Sequence, residues 1–270
     1  MNSLSLSCKC FHASIGEKIL SKFKNGIILF SAAVLFFQSN SLAIAADKVA
    51  SNSNDLRNFV EHAKPGDVIT LLPGIYELTK IIVKQSGSIE KPITLTANKP
   101  GTVFLKFRAQ VGFHVRSSYW IFENLDIEGS CGKNHSWCEH AFHITGNSSG
   151  TIIRNNRLHE YNAMIKGNGT FIRRKGQKKR EFPNDVVIEN NIFYNSEPRN
   201  THNPVSFINL DGGRRWVVRD NLIADFAKST GNYTSYGGFM KAMVRDGIFE
   251  RNLVICELMH SGGIRIALSF

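Results

Sequence analysis

VVIENNIF, residues 186–193, sets β-branched and aromatic residues around one charged residue and a pair of asparagines. Four more segments share that template: WIFENLDI (120–127), TIIRNNRL (151–158), WVVRDNLI (216–223) and GIFERNLV (247–254). Aligned on Asn124, Asn156, Asn191, Asn221 and Asn252, they recur at intervals of 32, 35, 30 and 31 residues. Self-similarity at such a period means stacked units that share one core. Asparagine tolerates left-handed backbone and suits a sharp bend between strands, and stacked asparagines bond to one another. The expectation is an all-β solenoid, a right-handed parallel β-helix, over residues 55–270.

Working outward, a second column follows each template: HITG (143–146), MIKG (164–167), FINL (207–210), FMKA (239–242) and GIRI (263–266). Strand alternation is expected to turn Ile144, Ile165, Ile208, Met240 and Ile264 inward. It is expected to stack Thr145, Lys166, Asn209, Lys241 and Arg265 outward as one polar ridge, a coil apart at about 4.8 Å. Upstream, Leu56, Phe59, Val60 and Ala63 fall at helical spacing. This predicts a short amphipathic helix, Asp55 to Ala63, capped by Asn54, that covers the open end of the solenoid. The polar stretch 46–54 is expected to be disordered.

Lys18, Lys22 and Lys24 precede a 12-residue apolar run, Gly26 to Phe37, and then Ala43-Ile44-Ala45. A basic region, an apolar core and a small-residue site form a secretory leader, here residues 1–45. The apolar run is too short for a bilayer span of about 20 residues, so no stable membrane span is expected after leader removal. The destination is periplasmic or secreted. Cleavage removes four lysines and one glutamate, leaving about +8 of the formal +11. A basic exported protein suits an acidic polysaccharide better than nucleic acid. Cys8 and Cys10 leave with the leader; Cys131 and Cys138 flank GKNHSW and read as a disulfide, with a metal pair completed by His135 or His140 as the alternative. Cys256 reads as a core residue. The chain stops at Phe270 within an apparent strand, which reads as a truncation or an end completed by a partner.

On the ridge, Lys241 lies between Asn209 and Arg265. A lysine beside a cation has a lowered pKa and can take a proton from the carbon next to a carboxylate, while an arginine stabilises the enolate. That is the machinery of β-elimination on a uronic acid. A solvated basic face is the alternative. A pectin-type hydrolase needs paired aspartates that the repeat strands lack.

Residues 54–270, above all KPGDVITLLPGIY (64–76) and EKPITLTANKPG (90–101), resemble the chondroitinase B and alginate lyase group, polysaccharide lyase family six. The resemblance implies a right-handed parallel β-helix that cleaves acidic polysaccharide. It implies Lys241 as base, Arg265 as its partner and Asn209 as a calcium ligand. The two acids that complete the calcium site in such proteins are missing: the stretch reads Asn232-Tyr233-Thr234-Ser235-Tyr236. The resemblance also departs at Ala242 and at Ile266-Ala267. Lys166, Arg214, Arg215 and His202 are further expected substrate contacts, with His143 and His260 nearby. The basic run Arg173 to Arg180 reads as a polyanion contact or a solvated insertion. A non-catalytic glycan-binding β-helix is the second reading.

Overall fold

The computed structural model describes residues 47–269 apart from Ala242, and no side chain is described for Arg174. The leader with Cys8 and Cys10, and the terminal Phe270, lie outside the described residues. The chain winds as a right-handed parallel β-helix of about seven coils. Each coil lays one strand on each of three sheets. The first sheet has eight strands, Asp47–Ala50 through Ile248–Glu250, and the second has seven, Gly74–Leu78 through Leu253–Ile255. The third also has seven: Ile81–Val83, Val111–Val115, His140–Thr145, Ile165–Asn168, Val205–Leu210, Thr234–Met240 and Ile264–Ser269. Within the three sheets every pairing is parallel.

Alternation fills the interior. In the 186–193 repeat Val186, Ile188 and Phe193 are fully buried. Aromatic rings stack there, Phe113 on Phe142 of the next coil at 5.2 Å and Trp120 on Phe122 of its own strand at 5.5 Å. Asn156, Asn191, Asn221 and Asn252 form the asparagine stack. Asn191 Nδ2 donates to Asn221 Oδ1 at 3.1 Å, and Asn221 Nδ2 to Asn252 Oδ1 at 2.9 Å. Asn124 is not part of it. Glu123 pairs with Arg154, so Asn124 is level with Asn155, and Leu125 takes the stack position. The left-handed residue is the one just before the stack position: Asn124, Asn155, Asn190, Asp220 and Arg251 all have φ between 50° and 61°.

The N-terminal stretch expected to be disordered is ordered. Asp47–Ala50 adds a parallel strand beside Val68–Leu71. Lys48 Nζ lies 2.6 Å from Asp67 Oδ2, and Tyr76 Oη donates to Ala50 O at 2.9 Å. Backbone pairing and one ion pair thus hold a segment with little apolar content. The helix runs Ser53–Glu61, earlier than expected, because Asn52 rather than Asn54 accepts from the first free amides at 2.9 and 3.0 Å. It buries Leu56 and Val60. No helix among the described residues is long and apolar enough to cross a membrane.

Candidate functional site

The outer face of the third sheet carries the polar column. Its register sets His114, His143, Lys166, Asn209, Phe239 and Ser269 level on successive strands. The expected ridge therefore holds at Lys166 and Asn209 and departs on either side. Thr145 is level with Asn168, and its hydroxyl lies 3.1 Å from His114 Nε2. Lys241 follows its strand and sits two residues past Phe239. Arg265 is level with Ser235, six residues before Lys241. That offset is about 20 Å along the strand direction. Arg265 is held instead by Gly262 O at 2.9 Å and by an ion pair with Glu257. Ile264, expected inside, is 61% exposed. Composition aligns the motifs FMKA and GIRI, whereas backbone pairing shifts one against the other by six residues.

The residue that joins the lysines is Asp211, two past Asn209 on the same strand path. Lys166 Nζ donates to Asn209 Oδ1 at 2.9 Å and pairs with Asp211 Oδ2. Lys241 Nζ lies 3.3 Å from Asp211 Oδ1 and 4.4 Å from the Phe239 ring centre. Burial alone would raise the Asp211 pKa, but Lys166 and then Lys241 hold it below the usual carboxylate range. Asp211 is legible in the sequence by strand alternation, since it lies two residues past the outward Asn209.

Next along the column, three imidazoles crowd together. His114 and His143 stack at 5.0 Å, and His140 lies 5.2 Å from His143. Burial, then the positive charges of His143, Arg116 and Lys80, push His114 down to about 4. Burial and His143 bring His140 to about 4 as well. His143, lowered by burial, bonds Asn168 Oδ1 at 2.6 Å. These rings are neutral at ordinary pH, so they offer hydrogen bonds without charge.

A cavity of about 970 Å³ opens beside Lys241, lined by His202, Lys228, Tyr236 and Phe239 among others. The two aromatic rings meet edge to face at 5.3 Å. Lys228, missed by sequence reasoning, is almost wholly buried, and its pKa is lowered by burial. Its Nζ donates to His202 O at 3.3 Å. Arg215 is tied to Asp185 at 2.5 and 2.8 Å and has left-handed backbone. Arg214 lies elsewhere, near Asp246 at 3.8 Å. His260 Nε2 lies 3.1 Å from Asn195 O. Cys131 and Cys138 are joined as a disulfide.

Calcium does not fit the residues around Asn209. An ammonium already occupies Asn209 Oδ1, and Phe239 is level with it on the next coil. No group of three or more His, Cys, Asp or Glu suited to a metal occurs among the described residues.

Over residues 49–164 the chain matches the chondroitinase B family, which bears out the resemblance read from the opening coils. The match ends two residues before Lys166. No curated protein sequence matches. Among solved structures, a PL6 family alginate lyase aligns at 16% identity over 75% of this chain and 26% of its own, with a TM-score of 0.43. A PL6 family polysaccharide lyase from Pseudopedobacter saltans aligns at 17% identity over 77% of this chain and 46% of its own, TM-score 0.48. An alginate lyase from Paenibacillus sp. aligns at 15% over 82% of this chain and 99% of its own, TM-score 0.40. The chain thus spans between a quarter and a half of the first two. The chain is a parallel β-helix whose first coils match the chondroitinase B family.

Proposed function

We propose that the protein is an exported lyase that cleaves a uronate-containing polysaccharide by β-elimination on the outer face of the third sheet. The observation that carries the reading is the sharing of one carboxylate, Asp211, by Lys166 and Lys241 from the coils on either side of it. A site that holds a carboxylate between two ammonium groups also suits the carboxylate of a uronic acid. The match to chondroitinase B supports the substrate class. The disulfide supports export, since such bonds persist in oxidising compartments.

In this reading Lys166 neutralises the sugar carboxylate, the role first expected of Arg265. Once the sugar carboxylate displaces Asp211, the Lys241 ammonium gives its proton to solvent, and the amine so formed takes the proton from the adjacent carbon. The electron pair left behind forms a carbon–carbon double bond, and the glycosidic bond on the neighbouring carbon breaks. The departing oxygen takes up a proton from the lysine just protonated. The His114–His143 pair and the Tyr236–Phe239 rings bind neighbouring sugars. No step passes through calcium.

The test is incubation of the leaderless protein with alginate, chondroitin, dermatan and pectate, with ultraviolet absorbance following the unsaturated product. Product from at least one polymer is expected. Binding without product on the whole panel would overturn the reading. That outcome would favour a non-catalytic glycan-binding β-helix, which the same Asp211 contacts also suit, because they tie up both lysines.

A further inference from the structure

The basic run that follows Lys166 does not remain a solvated loop. Thr170–Arg174 and Gln177–Glu181 fold back on each other as an antiparallel hairpin, turning at Lys175 and Gly176. The hairpin leaves the third sheet one residue past the strand that carries Lys166. Phe182, just after it, is wedged between two coils: a Cβ on Gly169 or Gly212 would meet its ring at 2.6 or 2.4 Å. Glycine at both positions leaves room for the ring, which packs beside Arg180.

The Arg180 guanidinium lies over Phe182 at 4.9 Å and Phe171 at 5.5 Å. Its one hydrogen-bond acceptor among the described residues is the Met243 thioether, at 3.1 Å, and its Nε is buried with no partner. An arginine cannot shed its proton, so a buried N–H without an acceptor is costly unless a ligand supplies one. Across from it, Arg214 and Arg245 pair on adjacent coils. Arg214 has a single acid near it, Asp246 at 3.8 Å, and is 61% exposed. Together with Lys179 these arginines line a cavity of about 500 Å³ in which Glu181 is the one acid. The cavity adjoins the first site along the chain, because Gly213 follows Asp211 and Met243 follows Lys241.

We propose that this cavity is a second anion site, which grips a carboxylate or sulfate ester of an acidic polysaccharide beyond the sugar held by Lys166 and Lys241. It rests on the function proposed above only for the identity of the polymer. The guanidinium forks of Arg214 and Arg180 suit the paired oxygens of either group. Single-stranded nucleic acid is disfavoured because cations already lie over the two rings beside the cavity, Lys178 over Phe171 at 4.2 Å and Arg180 over Phe182 at 4.9 Å.

Binding, measured without turnover, tests it. The leaderless protein is titrated with size-defined oligouronates, with chondroitin sulfate, with desulfated chondroitin and with single-stranded DNA, at low and moderate salt. Arg180→Met/Arg214→Met is expected to weaken glycan binding by about tenfold or more and to flatten its salt dependence. Loss confined to chondroitin sulfate assigns a sulfate, and loss common to all three glycans assigns a carboxylate. Arg214→Glu, at an exposed side chain, gives the same readout should the double variant not fold. Unchanged glycan affinity in a folded variant, or loss of DNA binding alone, overturns the proposal. Lys241→Met separates the two claims, since it should abolish turnover while hairpin-dependent binding persists.

Discussion

Asn190 and Asn191 sit side by side and do different work. Asn190 takes the left-handed backbone, with φ of 54°, and Asn191 is buried in the stack. Asn191 Nδ2 donates to Ile153 O at 2.9 Å, and its Oδ1 accepts from the Asn156 backbone amide at 3.0 Å. Asn191→Ala leaves buried backbone groups unpaired and should cost about 1–3 kcal/mol in denaturant unfolding. Asn190→Gly should be close to neutral, whereas Asn190→Ala should cost about 1 kcal/mol, because only its backbone is strained. The asparagine pattern was legible in the sequence, but its division of labour was not. Where a repeat carries one asparagine in place of two, as in WIFENLDI, composition cannot say which position that residue fills. Pairing of Glu123 with Arg154 decides it.

Among the elements, strands were easier to read than their register. Lys166 and Asn209 were correctly placed as neighbours because MIKG and FINL carry their outward residue at the same offset. Lys241 and Arg265 were placed together for the same reason and are six residues out of step. Strand Thr234–Met240 is long, and its successor Ile264–Ser269 pairs with it from Thr234 onward. A short motif cannot report where along such a strand pairing begins. The loop closed by Cys131 and Cys138 is a separate element, and its spacing was informative. Reduction, or Cys131→Ser with Cys138→Ser, should lower stability by about 2 kcal/mol, the entropy of so short a loop, as read by thermal unfolding with and without reductant.

For the whole molecule, buried imidazoles set the pH range of stability. Burial disfavours charge on His159, yet its hydrogen bond to Asp126, at 2.8 Å, and the Glu160 carboxylate 3.9 Å away raise it to about 9. The folded protein therefore holds this proton more tightly than the unfolded chain. The stabilisation is complete below the ordinary histidine value of 6.5 and is lost as pH rises through about 9. The stability gap between wild type and His159→Gln should be on the order of 1–3 kcal/mol near neutral pH and shrink above it. His114 and His140 act in the opposite direction. Each stays neutral to about 4, so stability falls as pH drops from 6.5 toward that value.

At this scale the solenoid was plain from five repeats, while the chemistry rests on Asp211, which joins two lysines that lie far apart in sequence. The measurement that addresses this most directly is the rate of unsaturated-uronate formation by wild type and by Lys241→Met at saturating acidic polysaccharide. Wild type should form product, and the variant should lose at least about a hundredfold in rate with its affinity retained. Equal rates in the two proteins would contradict the assignment of Lys241 as the base.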